Sequence, residues 1–133
     1  MEIFRLYINV TKMHQIVSGD KCVNMLLFDG KCTGDYFQGS ILSGGVDTQQ
    51  VDLNGRGTLS ARYMLEGVDR EGTPCRIFIE NNAQTGTENT KTKPQIFTDS
   101  ESLKWLEREQ LTGEILSEEG QLIISIGLEE KQR

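Results

Sequence analysis

Apolar and polar positions alternate with a period of two along most of the chain. Phe4, Leu6, Ile8 and Val10 alternate with Ile3, Arg5, Tyr7 and Asn9, and Val23, Met25 and Leu27 repeat the pattern. Leu59, Ala61, Tyr63 and Leu65 follow, then Cys75, Ile77 and Ile79, and finally Leu122, Ile124, Ile126 and Leu128. Successive side chains of a strand point to opposite faces, so each run predicts a strand with one apolar face. Turn signals punctuate the runs: Ser18-Gly19-Asp20, Asp29-Gly30, Ser43-Gly44-Gly45, Asn54-Gly55, Glu71-Gly72 and Glu119-Gly120. Many short strands joined by glycine turns predict an all-β protein, an antiparallel barrel or sandwich.

One segment, about Asp99 to Glu109, reads as a short helix. Thr98-Asp99-Ser100-Glu101 fits a capping box, and Leu103, Trp105 and Leu106 supply an apolar side. So short a helix needs a surface to pack on, so it is expected to plug or cover the sheet. Ala83–Lys93, rich in Thr, Asn and Gln, reads as a surface loop. No repeat or domain boundary interrupts residues 1–133, which read as a single β-barrel domain.

Two turns set relative registers. Asn54-Gly55 suits a two-residue type I′ hairpin loop, which pairs Leu53 with Arg56, Val51 with Thr58 and Asp47 with Arg62. Asp69-Arg70-Glu71-Gly72 suits a three-residue loop with a left-handed glycine, pairing Asp69 with Thr73, Met64 with Phe78 and Arg62 with Glu80. Together they place Asp47, Arg62 and Glu80 in a row across three strands, flanked by Phe78, Met64, Ser60 and Asn82. An arginine held between carboxylates offers fixed donors to an oxygen-rich ligand. The competing account is a cross-strand charge ladder on a solvated face. A one-residue slip in either turn moves a member of the row to the other face.

Composition narrows the chemistry. Twenty acidic against 14 basic residues give a net charge of −6, which argues against nucleic acid or an anionic membrane as a partner. No stretch approaches the length of a transmembrane helix and no signal peptide is evident, so a cytoplasmic protein is expected. Cys22, Cys32 and Cys75 are odd in number and lack metal-ligand spacing, pointing to reduced thiols and no zinc site. His14, the single histidine, has no motif around it and reads as a surface residue. Gly44-Gly45 lacks the lysine and hydroxyl of a phosphate loop and reads as a sharp turn between strands. No cofactor or metal is expected. Trp105 is placed to stack on a ligand at a barrel mouth or simply to pack.

The ordered motifs also resemble a known family, domain-of-unknown-function family 3237, also called uncharacterised protein family 0311. Gly30-Lys31-Cys32-Thr33-Gly34 and Gly39-Ser40-Ile41-Leu42-Ser43-Gly44-Gly45-Val46-Asp47 are similar to its glycine-rich stretch. Leu59–Leu65 resembles its Leu-Asp-x-Arg-Tyr-x-Leu strand, and Ile77-Phe78-Ile79-Glu80-Asn81 its Ile-Tyr-x-x-Asn segment. Thr92-Lys93-Pro94 and Trp105-Leu106 resemble further pieces, while Thr48 and Ser60 depart from the family's usual Trp and Asp. The resemblance implies an antiparallel β-barrel of the streptavidin or calycin kind, a cavity for a small molecule, and no established general activity. It singles out Asp47, Arg62 and Asn81. Sequence and resemblance together lead to a bacterial small-molecule-binding barrel, its ligand held by Asp47, Arg62, Glu80 and Asn81 with apolar contact from Phe78, Met64 and Trp105. The alternatives are an enzyme (lyase, isomerase or hydrolase) using carboxylates, arginine and a tyrosine (Tyr63 or Tyr36), and a structural module. A homodimer or higher homo-oligomer is compatible with each.

Overall fold

The computed structural model describes residues 1–86 and 91–129. Eight strands follow in order: β1 (Glu2–Ser18), β2 (Lys21–Thr33), β3 (Phe37–Asp52), β4 (Gly57–Asp69), β5 (Pro74–Thr85), β6 (Lys91–Thr98), β7 (Leu111–Glu118) and β8 (Gln121–Leu128). Each pairs antiparallel with the next, and β8 returns to β1, closing the sheet into an up-and-down barrel. Closure removes the sheet's edges and leaves one enclosed face, which an eight-stranded barrel can fill with side chains or use to hold one small ligand.

One end of the barrel is a packed core. Phe4, Leu6, Phe37, Leu65, Ile77 and Ile126 are fully buried there, with Phe4 and Phe37 meeting edge to face at 6.2 Å. The expected helix is a 3-10 turn, Lys104–Arg108, whose approach and body insert Leu103 and Leu106 into that end. The expected capping box is replaced by a longer connection. Thr98 Oγ1 accepts from the Ser100 N–H at 3.1 Å, but the Thr98 N–H donates to Glu107 rather than to Glu101. A carboxylate nine residues away ties the strand end to the turn, so no long helix is needed to satisfy those donors.

Two glycine-bearing signals read as turns do not reverse the chain. Asp29-Gly30 lies inside β2, where the register slips between Phe28 and Gly30, and Gly44-Gly45 lies inside β3, where four residues bulge between Ile41 and Val46. Such bulges bend a strand and increase its twist, as a small closed barrel requires. Gly30 sits at φ +153°, and a Cβ there would collide with the Tyr7 carbonyl oxygen. Ala83–Thr85 and Lys91–Lys93, read as loop, belong to β5 and β6; the central part of that segment, residues 87–90, lies outside the described residues.

The two register-setting turns have the same geometry. In one, the Gly55 N–H donates to the Asp52 carbonyl, the Asp52 N–H to the Arg56 carbonyl, and Asp52 Oδ1 accepts from the Asn54 and Arg56 amides. Asp69, Glu71, Gly72 and Thr73 repeat this arrangement. Gly55 and Gly72 lie at φ +76° and +79°, whereas Asn54 is not left-handed. A type I′ turn needs two left-handed residues; with one, the loop contains three residues. The 69–72 register is therefore as expected, with Met64 opposite Phe78 and Arg62 opposite Glu80. The 52–56 register slips by one, placing Asp47 opposite Ala61 and Val46 opposite Arg62.

Candidate functional site

The slip moves Asp47 to the inside of the barrel. The predicted row of Asp47, Arg62 and Glu80 does not form, because side chains one position apart on a strand face opposite ways. Arg62 and Glu80 remain neighbours on the outer face, 3.5 Å apart, with the Arg62 side chain 63% exposed. A pair so exposed contributes about 0–1 kcal/mol. Met64 and Phe78 also point outward, forming with Phe97 an apolar row across β4, β5 and β6. Trp105 lies at the plugged end of the barrel, its ring 5.9 Å from Tyr36, which in turn carries the Arg70 guanidinium 4.3 Å above its ring.

A different row lies inside. Asp47, Ala61 and Asn81 are register partners across β3, β4 and β5. With strands about 4.8 Å apart, Asp47 and Asn81 start about 10 Å from each other, separated only by the Ala61 methyl. This row borders a cavity of about 170 Å³ at the end opposite the 3-10 turn. Its walls are mostly apolar, from Ile8, Leu26, Phe28, Leu59, Ile115 and Ile124, with Tyr63, Gln49 and Thr92 supplying polar groups beside the row. Phe28 and Tyr63 meet edge to face at 5.4 Å, which fixes two aromatic walls.

Four buried side-chain oxygens lack a hydrogen-bond partner among the described residues: Asp47 Oδ1, Tyr63 Oη, Asn81 Oδ1 and Thr92 Oγ1. All four belong to residues lining this one cavity. Native interiors pair nearly all buried polar atoms, because an unpaired one costs about 1–3 kcal/mol. Tyr63, Asn81 and Thr92 are only 5%, 4% and 3% exposed, so bulk water does not offset that cost.

Asp47 keeps one partner. Gln49 Nε2 donates to its Oδ2 at 3.2 Å, Asn24 Nδ2 donates to Gln49 Oε1 at 3.5 Å, and Gln15 Nε2 donates to Asn24 Oδ1 at 2.8 Å. This chain of amides crosses β3, β2 and β1 and orients the carboxyl from behind. Burial raises the Asp47 pKa above the ordinary carboxylate value, and the Gln49 hydrogen bond opposes the rise in part. Burial also pushes the Tyr63 phenol well up, so it stays neutral and retains its proton. Gly113 faces Thr92 across the β6–β7 pairing, and a Cβ on it would strike Thr92 Oγ1, so the glycine keeps that wall open.

Of the residues singled out from the sequence, the structure brings Asp47 and Asn81 together and leaves Arg62, Glu80, Phe78, Met64 and Trp105 outside the cavity. Gln49 carried no motif, and Thr92 stood in the Thr-Lys-Pro piece of the resemblance without being singled out as a site residue. Tyr63 was legible as an inward residue but not as a cavity wall. Among the described residues, no group of three His, Cys, Asp or Glu side chains is placed to hold a metal ion. No helix among them is long and apolar enough to cross a membrane.

Residues 2–90 match a family described as "Protein of unknown function (DUF3237)". A member of uncharacterised protein family UPF0311 from Clostridium acetobutylicum is 37% identical over 84 residues, 61% of this chain and 51% of the relative. The chain thus matches about half the length of that curated relative. A crystal structure of a protein with unknown function from Clostridium acetobutylicum ATCC 824 superposes with a TM-score of 0.77 at 26% identity, covering 95% of this chain and 93% of the other. A beta-barrel like protein from Acinetobacter baumannii gives 0.75 at 18% identity, with 94% and 91% covered. An enzyme from Penicillium herquei gives 0.65 at 16% identity, with 96% and 92% covered. These last two likenesses concern the fold alone. With more than half its length matched by the family's pattern, and the barrel architecture shared with these structures, the chain belongs to the DUF3237 family.

Proposed function

We propose that this barrel binds a small molecule inside its open end, between Asp47 and Asn81. The observation that carries this reading is the convergence of four unpartnered buried oxygens on one cavity. A fold that leaves such atoms unpaired is compensated when a ligand pairs them. The cavity is mostly apolar with a few polar groups on one side, the usual make-up of a small-molecule site. Its volume of about 170 Å³ suits a body of roughly one ring, since an engineered apolar cavity of about 150 Å³ in another protein binds benzene.

A fragment screen by thermal shift tests the proposal. A one-ring ligand is expected to raise the melting temperature, and Ala61→Phe, which fills the space between Asp47 and Asn81, is expected to abolish the rise. An unchanged response in Ala61→Phe would place binding elsewhere and sink this assignment.

A second reading, catalysis in the same cavity, is favoured by the position of Asp47. Burial raises its pKa above the ordinary carboxylate value, the direction acid–base residues require. The fold it shares with an enzyme from Penicillium herquei is compatible with that role. Here Asp47 would be the proton-transferring group and Gln49 the residue that positions it. Turnover that disappears in Asp47→Asn while ligand binding persists would support this reading; turnover retained in Asp47→Asn would remove it.

A further inference from the structure

The four unpartnered oxygens differ from a random polar lining in one respect: all can accept a hydrogen bond. The Asp47 carboxylate and the Asn81 amide oxygen can do nothing else. The Tyr63 and Thr92 hydroxyls can each accept as well as donate. Among the described residues, no Lys, Arg or His lines the cavity. The Asp47 and Asn81 oxygens are satisfied only by donors, and an ionised carboxylate held out of water is further stabilised by a positive charge. Among the described residues, Asp47 receives an uncharged amide from Gln49, and no cation is among the causes that shift its pKa.

We infer that the cavity selects a primary ammonium group carried on a neutral body of about one ring. This rests on the cavity reading above and names the ligand's class. An ammonium has three donors and no acceptor, so its donor count matches Asp47 Oδ1, Asn81 Oδ1 and one of the two hydroxyls. Its charge cancels that of Asp47. An alcohol brings a single donor and leaves the carboxylate charge uncompensated. An anionic ligand would face Asp47 with no cation to offset the repulsion. The Asp47–Ala61–Asn81 row provides the place for the head group, since Ala61 is too short to fill the gap between the two acceptors. The Phe28 and Tyr63 rings and the aliphatic walls receive the body.

The charge requirement gives the interaction a pH signature. Tyr63 is the other ionisable side chain lining the cavity, and burial keeps it neutral. Leu26 of β2 and Ala61 of β4, the register partners of Asp47, carry no charge. Asp47 is therefore the group whose ionisation controls the site. Ammonium binding should be strong above the raised Asp47 pKa and fall away as pH drops through it.

The test uses the full chain and four probes of one size: benzylamine, benzyl alcohol, toluene and benzoate, titrated by calorimetry. Benzylamine is expected to bind at least tenfold tighter than benzyl alcohol, and benzoate not to bind. Asp47→Asn, nearly isosteric, should erase the preference for benzylamine over benzyl alcohol. Benzyl alcohol or toluene binding as tightly as benzylamine would overturn the ammonium assignment and leave the cavity reading standing. No binding by any probe would overturn both. Benzylamine binding that survives unchanged in Asp47→Asn or Ala61→Phe would show attraction to the acidic surface instead, and would also overturn the assignment.

Discussion

Asp47 illustrates how one inward-facing side chain couples stability to pH. Its folded-state pKa lies above the unfolded value because burial disfavours the charged form. This group's contribution to stability is therefore fully present below the unfolded carboxylate pKa and is lost as pH rises through the folded one. In the absence of ligand, Asp47→Asn is therefore expected to raise the melting temperature at neutral pH, and the gain should vanish as pH falls below the ordinary carboxylate range. Thermal melts of both proteins across that pH range check this; a destabilised variant at neutral pH would contradict it. Tyr63 gives a spectroscopic counterpart. Of the three tyrosines, Tyr63 should resist ionisation until the fold is lost, so an alkaline absorbance titration should show one phenol appearing only with unfolding. Appearance of all three before unfolding would show that Tyr63 is not sealed. The thiol of Cys32, pushed up to about 12 by burial, is likewise expected to react with thiol reagents only after unfolding.

At the scale of elements, the two Asp-x-x-Gly turns decide which residues face the cavity. Asp52-Leu53-Asn54-Gly55 and Asp69-Arg70-Glu71-Gly72 share an aspartate that caps two loop amides and a glycine in the left-handed region. Asn54-Gly55 by itself suggests a two-residue loop, but the Asp52 side chain competes by accepting the Asn54 and Arg56 amides, which stabilises the three-residue form. The shared Asp-x-x-Gly spacing was the signal that would have put Asp47 indoors. Hydrogen bonds to the carboxylates lower the Asp52 and Asp69 pKa values; for Asp69 the Ser100 hydroxyl is the largest cause. A lowered folded pKa contributes stability above the unfolded value that is lost as pH falls through the folded one. Asp69→Asn should lower the melting temperature at neutral pH, with the deficit shrinking in acid. A deficit independent of pH would locate the effect in packing rather than in the charge-assisted hydrogen bonds. The 3-10 turn, by contrast, was visible as an apolar cluster but not in its helical type, because Glu107, not Glu101, takes the Thr98 amide.

For the whole molecule, the barrel divides its interior between the two ends. The end sealed by Leu103 and Leu106 is packed, and Leu65, Ile77 and Phe4 are completely buried there. Leu65→Ala and Ile77→Ala are each expected to cost about 2–5 kcal/mol in chemical denaturation. Ala61 at the open end lines a space instead, so Ala61→Val should cost far less while weakening ligand binding. Equal losses at the two ends would argue against an interior divided in this way. The period-two runs and the glycine turns determined by themselves that the chain forms antiparallel strands around an apolar interior, because alternation and turn chemistry act between near neighbours. Which face each polar residue occupies was settled only in three dimensions. Parity depends on loops that differ by a single residue, and Thr92 and Asn81 share a cavity with Asp47 only because closure of the sheet brings strands β3 to β6 around one hollow.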